Sequence, residues 1–371
     1  MKKRELVILV AFAALTVAIA LLPSMPGVAN DSKNLSLRSR VVAVDASAVE
    51  TLGLVDYGSE MLTVEMLEGE RRGEQFKVNN ELRAQPDLDK RFKVGETAIV
   101  SWPKMGPKEG EILLVRDHWR MGWALGVFGL FALLLVVFGG FTGLKALFSF
   151  VFSCVVIWKL LVPMCLSGYN ALWTSFATVS ILTAVIMYLV AGLTRKGVSA
   201  FFGAMLGILS SLVLSSLITS LMHVTGNAMP YALSLRYSGY EELNLFALFS
   251  GTVILASSGA VMDLAMDIAA GVSEIKRHNE GISKKELLLS GLRIGRSVVG
   301  TMTTTLLLAY SGGYLTLIML FAAQGTRPMD FLNSTLVAPE LVKTLVGSIG
   351  LVLVAPFTAL VSAFVIGKSR Q

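Results

Sequence analysis

The chain has 371 residues, 54% of them hydrophobic and 16% charged, with a net charge of +6 and a mean hydropathy of +0.68. That balance excludes an ordinary soluble globular protein. It points instead to apolar runs of about 20 residues, the length a helix rising about 1.5 Å per residue needs to cross a bilayer core. The positive charge is not a nucleic-acid surface, because Lys and Arg cluster beside the apolar runs, where they mark topology, and no basic patch interleaved with aromatics occurs.

The first apolar run is Leu6 to Leu22, after Lys2, Lys3 and Arg4. It reads as an uncleaved transmembrane anchor with an exit turn from Pro23 to Gly27. The alternative is a signal peptide cleaved near Gly27-Val28-Ala29. Either way residues 1–29 lead the next segment of the chain outside the cytoplasm.

Residues 30–118 are different in kind. Short alternating segments recur at Arg38–Val44, Met61–Glu68, Glu74–Val78, Thr97–Trp102 and Glu111–Arg116. In the second of these, Leu62, Val64 and Met66 share one face while Thr63 and Glu65 take the other, the period of a half-buried strand. Gly58, Gly69, Gly73, Gly95, Gly106 and Gly110 punctuate them. The expected fold is a small extracytoplasmic all-β domain of the OB or SH3-like kind.

From residue 119 to 371 the pattern is a seven-helix transmembrane domain, with runs at Met121–Phe138, Leu144–Val162, Leu172–Leu193, Val198–Met222, Leu243–Met262, Ser297–Ala323 and Leu341–Ile366. With the first run, the expected fold class is an α-helical polytopic membrane protein of about eight transmembrane helices. Placing the N-terminus inside puts Lys2, Lys3, Arg4, Lys145, Arg195, Lys196, Lys276, Arg277, Lys284, Lys285, Arg293, Arg296, Lys368 and Arg370 on the cytoplasmic side, against only Arg236 and Arg327 in the short outer loops. The positive-inside rule predicts that asymmetry, and it requires an even helix number. Lys159 near an outer helix end can snorkel, and Trp119, Trp123 and Trp173 fall at outer interfaces. Cys154 and Cys165 lie at the two ends of one run, beyond disulfide reach, and read as small buried hydrophobes. His118, His223 and His278 are too scattered for a three-ligand metal site, so a metal is left unassigned and no cofactor is expected.

The informative chemistry lies between Ser257 and Gly313. Asp263, Asp267 and Glu274 are spaced by four and seven, one helical stripe. Arg293 and Arg296 begin the next apolar run, followed by Ser297, Thr301, Thr303, Thr304 and Thr305, then Tyr310, Ser311, Gly312 and Gly313. Ionisable groups within hydrocarbon are costly unless paired or hydrated, and so point to function. One reading is a polar path between the sixth and seventh helices, with acids holding a cation or proton, arginines pairing with or gating them, and Gly312-Gly313 breaking the helix. The other is structural: Asp263–Arg296-type pairs staple helix ends, and the threonines return hydrogen bonds to their own backbone. Gly295 to Gly300 has the Gly-x4-Gly outline of a phosphate loop but lacks the lysine and the preceding strand. The outer loop from Met229 to Leu243, with Arg236, Tyr237, Tyr240, Glu241 and Glu242, is a solvated amphipathic segment or a lid. Small-x3-small pairs at Gly139/Gly143, Gly203/Gly207 and Ser211/Ser215 favour close helix packing within one chain or in a homo-oligomer.

Several of these segments together resemble the YibE/F family of bacterial multi-pass membrane proteins: Gly259-Ala260-Val261-Met262-Asp263-Leu264-Ala265-Met266-Asp267-Ile268, Ser273-Glu274-Ile275, Gly295-Arg296, Gly300-Thr301-Met302, Thr305 to Tyr310, Gly347-Ser348-Ile349-Gly350 and Pro356-Phe357-Thr358-Ala359. The resemblance extends from the ectodomain to the C-terminus, with shorter matches at Val78-Asn79-Asn80 and Lys93-Val94-Gly95-Glu96. The chain departs from the family pattern at Arg296-Ser297, where the family has Arg-Asp, and at Thr304, where it has Asn. The resemblance implies a bacterial cytoplasmic membrane location and adds little on mechanism.

The function expected is transport or permeation of an ion or small solute in the lipid bilayer, along Asp263, Asp267, Arg293, Arg296, Ser297, Thr301, Thr304, Thr305 and Tyr310. The rival is a non-transporting envelope scaffold whose β domain binds an extracytoplasmic partner. No catalytic constellation is visible, so an enzyme is not expected. The charge asymmetry predicts that a reporter fused after Gln371 is cytoplasmic and one inserted between Val49 and Pro107 extracytoplasmic; finding both on one side of the membrane would refute this topology.

Overall fold

A computed structural model describes residues 2–22, 34–108 and 110–367. The expected exit turn, the cleavage site at Gly27–Ala29, Lys368 and Arg370 lie outside the described residues. The chain forms two compact units: residues 29–134 make one, and the first helix with the chain from Leu135 onward makes the other.

The first of these units holds five strands, β1 (Asn34–Leu52), β2 (Val55–Met66), β3 (Gln75–Arg83), β4 (Thr97–Pro103) and β5 (Leu113–His118). They close into a barrel in the order β1-β2-β3-β5-β4, with β4 returning to β1. Every pairing is antiparallel except the short parallel contact of β3 with β5. Closure removes the free strand edges that would otherwise template aggregation. The alternation in β2 sends Leu62, Val64 and Met66 inward, where they meet Val41, Val78, Phe92, Ala98, Val100 and Leu113. Trp102 caps this core with its ring edge-on to Phe76 at 5.1 Å.

One charge also points inward. Glu60 is 1% exposed, and its carboxylate accepts from Arg91 Nε at 3.0 Å and Asn80 Nδ2 at 2.9 Å. Burying a carboxylate is costly unless it is paired and hydrogen-bonded, and here it is both. The same guanidinium reaches Asp56 at 2.9 Å, so Arg91 joins the core acid to the barrel surface.

The second unit is helical. Its elements are α1 (Lys2–Ala20), α2 (Met121–Val156, which starts in the first unit), a π-turn (Ile157–Leu161), α3 (Val162–Leu166), α4 (Ala171–Ala191), α5 (Arg195–Leu221), α6 (Ala232–Tyr237), α7 (Leu245–His278), α8 (Lys284–Gly313), α9 (Leu315–Ala323), α10 (Pro328–Asn333) and α11 (Ala338–Val365). Among the described residues, five helices are long and apolar enough to cross a membrane, or six when α8 and α9, bent by 66°, count as one broken span. These mark a membrane protein. The two runs expected at Met121–Phe138 and Leu144–Val162 join end to end as Met121–Leu166. Inside this element Gly140 takes the non-helical conformation φ 54°, ψ −127°. A Cβ placed on Gly143 would run into the Leu135 carbonyl oxygen. Residues eight apart in a straight helix are separated by about 12 Å, so the chain doubles back there.

The centre of the helical unit is α11, which packs on α5, α7 and α8. The contact faces are built from small residues: a Cβ on Gly203 would overlap Thr358, one on Gly207 would sit 2.8 Å from Val354, and ones on Gly291 and Gly295 would sit 2.9 Å from Ala359 and Ala355. Lipid tails give no hydrophobic drive between helices, so such close approach supplies the packing energy.

The barrel carboxylates set a pH response. The Thr51 hydroxyl and then the Arg91 guanidinium hold Asp56 below the usual carboxylate range. At Glu68 burial pushes upward, and the backbone and side-chain hydrogen bonds from Arg38 overcome it. A folded-state pKa below the unfolded one gives stability that is present above the unfolded value and lost as pH falls through the folded one. Residues 30–118 expressed alone should therefore be soluble, show a β-type circular dichroism spectrum, and lose stability progressively below about pH 5. A helical spectrum would contradict the barrel, and unfolding indifferent to acid would contradict the role given to these carboxylates.

Candidate functional site

The two helices that carry the candidate residues each begin at a side-chain cap. The Asn244 side chain accepts from Ala247 N at 2.9 Å to start α7. Ser283 starts α8 with a capping box: its hydroxyl accepts from Glu286 N at 3.2 Å, and the Glu286 carboxylate accepts from Ser283 N at 3.0 Å. The two helices form an antiparallel hairpin with a seam of small residues. A Cβ on Gly271 would lie 2.6 Å from the tip of Ile294, and one on Gly295 would lie 3.3 Å from Ile268.

Asp263, Asp267, Gly271 and Glu274 follow one another at helical spacing, so the acids sit on the stripe that borders this seam. All three are exposed on the outward face of α7. On α8 the stripe that continues from Ile294 runs through Val298, Thr301 and Thr305, and Thr301 and Thr305 are also exposed. Helical spacing thus sets the acids of α7 and these threonines of α8 along the two sides of the seam.

The arginines are elsewhere. Arg296 is two residues beyond Ile294, which turns it to the other side of α8, and Arg293 also projects outward. Among the described residues neither Asp263 nor Asp267 has an ion pair or hydrogen bond, and neither do Arg293 and Arg296. The Asp263–Arg296 staple of the structural reading is therefore not formed: helix rotation holds the two residues apart. Glu274 is the acid that pairs, with Arg277 and, at 2.9 Å, with His278 on its own helix.

The hydroxyls bond locally. Ser297 donates to the Ile294 carbonyl at 2.7 Å, Thr301 to Val298 at 2.9 Å, Thr304 to Gly300 at 3.1 Å and Thr305 to Thr301 at 3.0 Å. A hydroxyl that donates keeps its acceptor lone pairs, so this row presents acceptors outward. Tyr310 points the other way, inward, where its hydroxyl is enclosed beside Gly347 and has no hydrogen-bond partner among the described residues. Gly312 and Gly313 end α8, and no side chain or backbone crowds either of them.

Sequence reasoning missed the seam glycines Gly271 and Gly291, whose role depends on the partner helix, and two polar cavities at the end of the bundle where α5 stops and α7 starts. One, of about 460 Å³, is walled by Thr219, His223, Asn227, Arg236 and Asn244. The other, of about 700 Å³, lies between Cys165–Ala171 and Gly239–Asn244. The clustering of Asn and hydroxyl residues around the Met229–Leu243 loop was the available signal. Among the described residues no three His, Cys, Asp or Glu side chains gather as metal ligands.

The Tyr310 hydroxyl gives a direct test of the packing on this side of α8. An enclosed donor without a partner costs about 1–3 kcal/mol, so Tyr310→Phe should leave the melting temperature unchanged or raise it. A clear fall would show that the hydroxyl is bonded.

No curated protein and no solved structure matches the chain. A family model does, over residues 127–368, most of the chain and all of α4 to α11. The match begins after the barrel, so the family assignment rests on the helical unit and not on the β domain. The seam acids, the threonine row and the α11 core all fall within it, and the chain belongs to the YibE/F-like protein family.

Proposed function

We propose that the protein carries an ion or small solute across the bacterial cytoplasmic membrane, along the groove between α7 and α8. The observation that carries this reading is the pair Asp263 and Asp267, unpartnered among the described residues and set on α7 directly after its apolar run Leu243–Met262. Intramembrane acids held at an energetic cost are a mark of ion and proton pathways. The hydroxyl acceptors of Thr301 and Thr305 on the facing wall, and the break after Gly313, supply further oxygen ligands and exposed backbone.

The topology proposed with it has eight spans and both termini in the cytoplasm. A helix of 46 residues would be about 69 Å long, more than twice the hydrocarbon thickness, so Met121–Leu166 counts as two spans divided at Gly140. The bent α8–α9 pair counts as one, and α1 as another. Lys159 Nζ donates to the Leu22 carbonyl at 3.2 Å, which supports α1 and the second of these spans ending on the same side. The barrel follows the strand order of an OB domain, with its parallel β3–β5 closure. That order, and a cavity of about 590 Å³ beside β3 and β5, favour the second reading, in which the ectodomain binds an envelope partner and the bundle is its anchor.

Flux separates the two readings. Purified protein in liposomes should pass protons or a monovalent cation, read by trapped pH-sensitive and cation-sensitive dyes. Asp263→Asn should abolish that flux while leaving expression and melting temperature nearly unchanged, because the amide keeps the shape but neither ionises nor carries a proton. Intact flux in a variant with a lowered melting temperature would overturn the transport reading.

A further inference from the structure

The α7–α8 face carries both signs of charge and neutralises neither. Asp263 and Asp267 lie on α7, Arg293 and Arg296 on α8; all four are exposed, and none is partnered among the described residues. Exposed acids on one helix and exposed arginines on the next offer both signs of charge to a second copy of the same surface, the complementarity an isologous two-fold contact requires.

We propose that a second copy of the chain covers this face, with Asp267 of each protomer paired to Arg296 of the other. The depths agree. A two-fold axis along the membrane normal keeps every residue at its own depth. Taking Gly271 opposite Ile294 as the reference, Asp267 is four residues further along α7 and Arg296 two residues further along α8 in the same direction. The difference of two residues is about 3 Å, within the reach of an arginine side chain. Arg296 is exposed and turned away from its own α7, which leaves its guanidinium available to another chain.

The surface also permits close approach. Ser297, Gly300 and Thr304 recur on the outer side of α8, and Gly259 lies on the acid stripe of α7. A Cβ at Gly300 or Gly259 would meet nothing within 4 Å, whereas the glycines that face α11 already touch a neighbour. The open glycines therefore have room for another helix. Pairing α7 with the partner's α8, and the reverse, would roof the groove. The inference rests on the transport reading only in placing the path at the dimer interface; the pairing stands on charge and depth.

The test uses the full chain, with Cys154→Ser and Cys165→Ala, as two differently tagged copies in one membrane. One copy carries Gly259→Cys and the other Thr304→Cys. Oxidation should yield a covalent product containing both tags, and replacing the second cysteine with Leu217→Cys, on the exposed side of α5, should yield at least tenfold less. Asp267→Arg should cut the product several-fold, Arg296→Asp should do the same, and the double swap should restore it. Gly300→Leu, at a position where a Cβ meets nothing within 4 Å, should suppress the product without lowering the melting temperature. Cross-linking no better than the Leu217→Cys control, a double swap that fails to restore it, or a product containing only one tag and a foreign protein would each overturn the dimer. Flux measured on the Gly300→Leu protein keeps the two proposals apart, since loss of the dimer with flux retained removes the interface and leaves the groove.

Discussion

The helical unit depends on how closely its helices approach α11. A side chain larger than Gly at position 203 would collide with Thr358, and Gly207, Gly291, Gly295 and Gly350 stand in comparable contact with their neighbours. In a medium as apolar as the side chains themselves, packing at short range replaces the hydrophobic effect as the force between helices. Small residues on one face of α5, α7 and α8 are thus the condition for α11 to sit among them, and the heavily buried face of α11, from Val342 to Ala363, is the result.

That arrangement determines what is left over. With Leu264, Ile268 and Val272 committed to the interior of α7, helical geometry turns Asp263 and Asp267 outward. With Gly291 and Gly295 committed to α11, the same geometry turns Arg293, Ser297 and Thr304 outward on α8. The polar residues of the site are displaced from the core by the packing of their neighbours. Their two stripes border one seam because the helices are consecutive and antiparallel. The barrel solves a related problem differently: it takes one acid, Glu60, into its interior and satisfies it with Arg91 and Asn80, which closed β geometry permits because alternate residues face inward.

Much of this architecture was legible in the sequence. The five alternating segments correspond to the five strands, and the small-x3-small pair Gly203/Gly207 lies in the α5–α11 contact. The acid stripe was readable because a spacing of four and seven has one meaning on a helix. The ends of elements were less legible. Apolar runs cannot register that α7 continues to His278 or that α8 begins at Lys284, because those extensions are polar turns stabilised by caps and by the neighbouring helix. The sharp turn at Gly140 is hidden by continuous hydrophobicity on both sides of it.

What the sequence determined by itself is therefore composition-driven: a membrane protein, a β domain, a family, and a set of ionisable residues on two adjacent helices. Periodicity and hydropathy are local properties, and they survive translation into structure. Which charges meet is not local. Asp263 and Arg296 look like partners along the chain, yet α8 is rotated so that Ile294 fills the seam at Gly271 and Arg296 faces away. Only the tertiary packing sets that rotation, because it is fixed by which small residues let α11 approach, and so it alone decided that the acids border an open seam with no arginine among the described residues to neutralise them.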